Sequence, residues 1–81
     1  MVLLSNITLN SDNLVSMDCH VVDHIENQDF SLVFDPVSRR ILSDMDGINP
    51  YYAGHAVLHV YFMYKNRKGR ELPKESVANW V

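Results

Sequence analysis

One cysteine, three glycines and three prolines occur among the 81 residues, and each scarcity removes a class of protein. A single thiol, Cys19, excludes an intrachain disulfide and suits a reducing compartment. No Gly-rich phosphate loop, nucleophile elbow or paired-carboxylate site is present, so neither an enzymatic activity nor a cofactor is expected. No apolar run approaches the ~20 residues that a bilayer span requires. The opening MVLLSNITLN also lacks the basic n-region and apolar length of a secretory signal. The expectation is a cytoplasmic protein with no membrane attachment.

What is present bounds the rest. At this length the chain reads as one α+β domain over residues 1–81, hiding only ~60 to 65% of the surface its unfolded form exposes. With 47% apolar residues the composition is not that of a disordered segment. Its core is nevertheless thin, and a partner subunit would add buried area. Charge is divided between the halves: residues 1–48 carry −6 and residues 49–81 carry +3, within a net charge of −3. A solvated surface accounts for this, as does complementary contact within the fold or between copies.

Turn formers cut the first half into four extended pieces. Residues 3–9 precede the cluster NSDN at 10–13. Residues 14–26 alternate, with Val15, Met17, Cys19, Val21 and Ile25 on one face and Ser16, Asp18, His20, His24 and Glu26 on the other. Phe30, Leu32 and Phe34 alternate with Ser31, Val33 and Asp35, and DPVS then offers Asp and Pro for a type I turn. Residues 39–43 return as a fourth strand. Such short connections predict a β-meander.

Residues 50–66, PYYAGHAVLHVYFMYKN, form the most informative stretch. Asn49 suits an N-cap and Pro50 the first helical position. Lys65, Arg67, Lys68 and Gly69 suit the end of the helix. At 100° per residue, Ala53, Val57, Val60, Tyr61 and Tyr64 share one face, extended by Leu58 and Tyr51. His55, His59 and Asn66 lie opposite, flanked by Tyr52, Ala56, Phe62 and Met63. After Gly69, Pro73 opens a short final helix with Val77, Trp80 and Val81 on one side. The predicted architecture is therefore a four-stranded antiparallel β-meander, a long helix packed on one sheet face and a short C-terminal helix.

Four groupings bear on function. The run DCHVVDH at 18–24 resembles a metal motif, but a strand directs Cys19 away from His20 and His24. Those two histidines stand ~13 Å apart along the strand, too far for one zinc. His55 and His59, one helical turn apart, could share a metal, but HAVLH lacks the glutamate of HExxH. A third ligand would have to come from Asp44, Asp46 or a second subunit. Lys65, Arg67, Lys68 and Arg70, with Tyr61 and Tyr64 upstream, could bind phosphates and bases, although helix-end cations are expected from the dipole and the net charge disfavours nucleic acid. The tail LPKESVANWV is reminiscent of a DNA-recognition helix, but six residues separate it from the preceding helix where a helix-turn-helix allows three or four.

The helix stripe, apolar on a second side, calls for cover, and a homodimer is the commonest way to supply it. The function expected is a small non-catalytic interaction module, acting through self-association and protein binding. Its interface would use Tyr52, His55, Ala56, His59, Phe62 and Met63. The alternatives are a metal- or small-ligand-binding protein using His55 and His59, and a nucleic-acid regulator using Lys65, Arg67, Lys68 and Arg70.

Overall fold

Three apolar-alternating segments pair in sequence because turn-forming residues separate them, as the computed structural model shows for residues 1–80. Strands β1 (Val2–Leu9), β2 (Val15–Val22) and β3 (Asn27–Phe34) form an antiparallel meander. Asn13, at φ 65°, closes the first hairpin, and its N–H donates to the Asn10 carbonyl at 3.0 Å. Asparagine tolerates this left-handed geometry better than most residues. β2 ends at Val22, earlier than its alternation suggests. His24 and Ile25 lie in the second turn, where Ile25 is 81% exposed.

The helix α1 (Pro50–Lys65) begins as expected, the Asn49 side chain accepting from the Tyr51 N–H at 2.9 Å. Its start is tied to β3. The Gln28 side chain accepts from the Asn49 N–H at 2.9 Å and donates to the Gly47 carbonyl at 3.1 Å. Asn49 in turn donates to Glu26 at 3.0 Å. The C-cap is Asn66, not a residue beside Gly69. Lys68 and Gly69, at φ 52° and 78°, instead turn the chain after the helix.

Two corrections concern the remaining elements. Residues 39–43 do not form a strand of the sheet: a single bridge joins Ile41 to Phe34. Asp35 folds this segment back, its side chain accepting from the Val37 N–H at 2.9 Å. The segment then covers the outer edge of β3. Leu42 N–H donates to the Val33 carbonyl at 2.8 Å, and Val33 N–H donates to Ser43 Oγ at 2.9 Å. The C-terminal helix is likewise replaced by a strand, β4 (Glu75–Asn79), antiparallel to β1, which gives the sheet order β3-β2-β1-β4.

The ladder gives β1 partners on both sides and moves the free edge of the sheet from the eight-residue β1 to the five-residue β4, a shorter edge to leave to solvent. In a strand Val77 and Trp80 point to opposite faces, so Val77 is 61% exposed while Trp80 packs against the core. Val81, expected on the same helical face, lies outside the described residues.

One apolar core fills the space between sheet and helix. β1 contributes Leu3 and Ile7, β2 Val15, Met17, Cys19 and Val21, and β3 Phe30, Leu32 and Phe34. From α1 come Tyr52, Ala53, Ala56, Val57 and Val60. One polar side chain is buried among them. Ser5, opposite Cys19 on one side and Ser76 on the other, has no hydrogen-bond partner for its hydroxyl among the described residues.

An unpaired buried hydroxyl costs ~1 to 3 kcal/mol. Ser5→Ala should therefore leave the denaturation midpoint unchanged or raise it. A loss of more than ~1 kcal/mol would mean that Ser5 is bonded in solution.

Candidate functional site

The helix supplies most of the candidate residues, and its orientation decides what each can do. The core face is rotated toward Tyr52 and Ala56, both of which are buried. They face the sheet and are not available as an open interface in this fold. Polar tips explain the rotation. Tyr61 lies beneath the Arg39 guanidinium, 5.0 Å from ring centre to Cζ, and Tyr64 beneath that of Arg67 at 3.9 Å. Each stays at the rim, whereas Ala53 and Ala56 present small side chains to the sheet. Met63 is half-buried against the core.

The histidines are turned toward β4. His55 stacks on Trp80 with ring centres 4.5 Å apart and planes 20° apart, and meets Tyr51 edge-on at 4.5 Å. His59 Nε2 lies 2.7 Å from Ser76 Oγ. Burial holds the His59 imidazole below its ordinary pKa, favouring the neutral ring. The neutral ring accepts from the Ser76 hydroxyl when Nδ1 carries the proton. This pair has the distance of a nucleophile and its base, but among the described residues no carboxylate bonds to His59 to orient it. Nor do three His, Cys, Asp or Glu side chains come together among the described residues to hold a metal.

With the core and the β4 side occupied, one stripe of α1 remains outside. It comprises Tyr51, Gly54, Leu58, Phe62 and Lys65, with Tyr51 52%, Leu58 40% and Phe62 49% exposed. Only Lys65 is charged among the helix's 16 residues. Of the six expected interface residues, Phe62 alone stands fully on this stripe. Tyr51, Gly54 and Leu58 were missed because the helical wheel was centred on the tyrosines. The signal available was the spacing of 51, 54, 58, 62 and 65, a single helical stripe that contains Lys65, the helix's one charged residue.

The basic turn follows directly. Lys65, Lys68 and Arg70 are exposed, while Arg67 is half-buried against Tyr64. Among the described residues no lysine or arginine forms an ion pair with a carboxylate.

The uncovered face of the sheet is different in character. It forms a shallow concavity of about 880 Å³ lined by Leu4, Asp18, His20, Asp29, Ser31 and Val77, among others. Its polar groups largely satisfy one another: His20 bonds Asp29, and Ser31 Oγ donates to Asp18 at 2.7 Å. Behind it, burial pushes the Cys19 thiol up to about 12, partly offset by the neighbouring Ser5 hydroxyl. Asp23 is partly desolvated, but the Tyr52 hydroxyl at 3.1 Å and the His24 N–H at 2.7 Å hold its carboxyl below the ordinary range.

No protein-family model, curated protein or solved structure matches the chain. No helix among the described residues is long and apolar enough to cross a membrane.

A group whose folded pKa is depressed binds fewer protons when folded, so its contribution to stability falls as pH drops below the unfolded value, ~6.5 for histidine. Wild-type protein should accordingly lose more stability between pH 7.5 and 5.5 than His59→Gln. Parallel melting curves for the two proteins would contradict the placement of His59 against Ser76.

Proposed function

We propose that the chain is a non-catalytic interaction module that works by self-association and binding to protein, and that the outer stripe of α1 is its contact surface. The observation that carries this reading is the stripe itself: a helix with one charge in 16 residues, whose side away from the core presents Tyr51, Leu58 and Phe62 to water. An outward helix face is ordinarily polar, and one that is not is ordinarily covered. His55, stacked on Trp80, and His59, bonded to Ser76, are engaged within the fold, which leaves the stripe as the unpartnered side of the helix.

Covering the exposed half of each large side chain is worth ~1 kcal/mol. Three such side chains from each of two copies supply ~6 kcal/mol in all, near the low end of the ~4 to 15 kcal/mol that association costs in lost freedom. The stripe alone therefore does not hold two copies together, and a micromolar complex, which needs ~8 kcal/mol net, draws the remainder from contacts beyond it.

Light scattering from 1 to 200 micromolar, a range chosen around that affinity, should show mass rising toward twice that of the monomer. Phe62→Glu should weaken association at least tenfold with little change in the monomer's stability, because an exposed substitution ordinarily costs less than ~0.5 kcal/mol. A constant monomer mass over the range would overturn the reading.

A further inference from the structure

We propose that two copies pack with their α1 helices antiparallel, about a two-fold axis at Leu58, so that Phe62 of each copy fills the gap over Gly54 of the other. This rests on the self-association proposed above and specifies its geometry.

The stripe is symmetric in position about Leu58. Gly54 and Phe62 lie four residues to either side, and Tyr51 and Lys65 lie seven. In an antiparallel pair with its axis at Leu58, Gly54 faces the partner's Phe62 and Tyr51 faces the partner's Lys65. Leu58 meets its own counterpart. Each pairing is chemically favourable: a large side chain enters the space of a missing one, an ammonium meets an aromatic ring, and two leucines pack. A parallel pair would set Phe62 on Phe62, leave Gly54 over Gly54 and oppose two Lys65 charges.

Gly54 is otherwise unexplained. Glycine is among the poorest helix formers, and nothing lies within 4 Å of the position its Cβ would take. Within one copy the side chain is absent without a steric reason. Against a second helix, the same absence provides a hole.

The ends of the helix carry complementary charge. At its N-terminal end Asp23 accepts from the Tyr52 hydroxyl and Glu26 from Asn49, and Asp44 and Asp46 lie in the chain leading into it. Around its C-terminus stand Lys65, Arg67, Lys68 and Arg70. Antiparallel packing brings the acidic end of one copy to the basic end of the other, whereas parallel packing superposes like charges. These cations have no carboxylate partner within one copy among the described residues. Area also requires the ends. A 16-residue helix is about 24 Å long, and a strip about 10 Å wide falls well short of the ~800 Å² per partner of an ordinary stable interface.

Disulfide trapping reads the geometry directly. Gly54→Cys and Phe62→Cys should each cross-link poorly alone and readily when mixed, and Leu58→Cys should cross-link with itself; wild-type protein, with Cys19 buried, serves as the blank. Gly54→Leu should weaken dimerisation at least tenfold without lowering the melting temperature of the dilute monomer. Self-linking of Gly54→Cys or Phe62→Cys would show parallel packing and overturn the proposal. A dimer by light scattering in which none of the three cysteines links, or which Gly54→Leu leaves intact, would place the contact elsewhere, such as the free edge of β4. That result would sink this geometry and leave self-association standing, whereas a monomer at every concentration would remove both.

Discussion

The ladder between β1 and β4 is the constraint on which the rest of the molecule depends. It gives β1 partners on both sides and sets Met1 beside Trp80, the Met1 amino group donating to the Trp80 carbonyl at 2.9 Å. It also sets Ser76, Ala78 and Trp80 on the helix side of the sheet. From there Trp80 meets His55 and Ser76 meets His59, so the histidine flank of α1 is committed to the fold. Without β4 that flank would be open. With it, the outward surface of the helix narrows to Tyr51, Gly54, Leu58, Phe62 and Lys65.

The two sides of the molecule therefore differ in what water can satisfy. The bare sheet face sets carboxylates, a histidine and hydroxyls that hydrogen-bond across strands beside the exposed Leu4, Val22 and Val77, a mixed surface of the kind that antiparallel sheets present to solvent. The outer helix face carries almost no group that water stabilises. The edges are asymmetric as well. Residues 41–47 shield β3, whereas among the described residues no backbone hydrogen bond is made to the outer edge of β4. A short strand beginning with an acidic side chain is one way proteins keep such an edge from pairing.

Much of the fold was legible because it follows from local pattern. Alternation at Val15, Met17, Cys19 and Val21, and at Phe30, Leu32 and Phe34, identified both strands and their buried faces. Asn49 and Pro50 located the helix start. The failures share a cause, which is that long-range hydrogen bonding outweighed local signals. The segment ESVAN is short enough to suit either a strand or a helical turn, and only its pairing with β1, a property of the assembled sheet, decides between them. Residues 39–43 have strand-like character, but Asp35 folds them into a turn that leaves one bridge. At the candidate site, the helical wheel identified an uncovered stripe and misplaced its centre. Tyr61 and Tyr64 read as core by hydropathy, yet their hydroxyls and the overlying Arg39 and Arg67 keep them at the rim.

Amide hydrogen exchange along residues 75–80 tests the central claim most directly. Met1 and Trp80 exchange both backbone hydrogen bonds, and the Ile7 N–H donates to the Lys74 carbonyl at 2.8 Å. The alternation of an antiparallel ladder then directs the N–H groups of Ser76, Ala78 and Trp80 toward β1, and those of Glu75, Val77 and Asn79 away from it. The account predicts slow exchange at 76, 78 and 80 and fast exchange at 75, 77 and 79. Uniformly fast exchange, or protection of consecutive amides as in a helix, would contradict the β1–β4 ladder and with it the inward placement of the histidines.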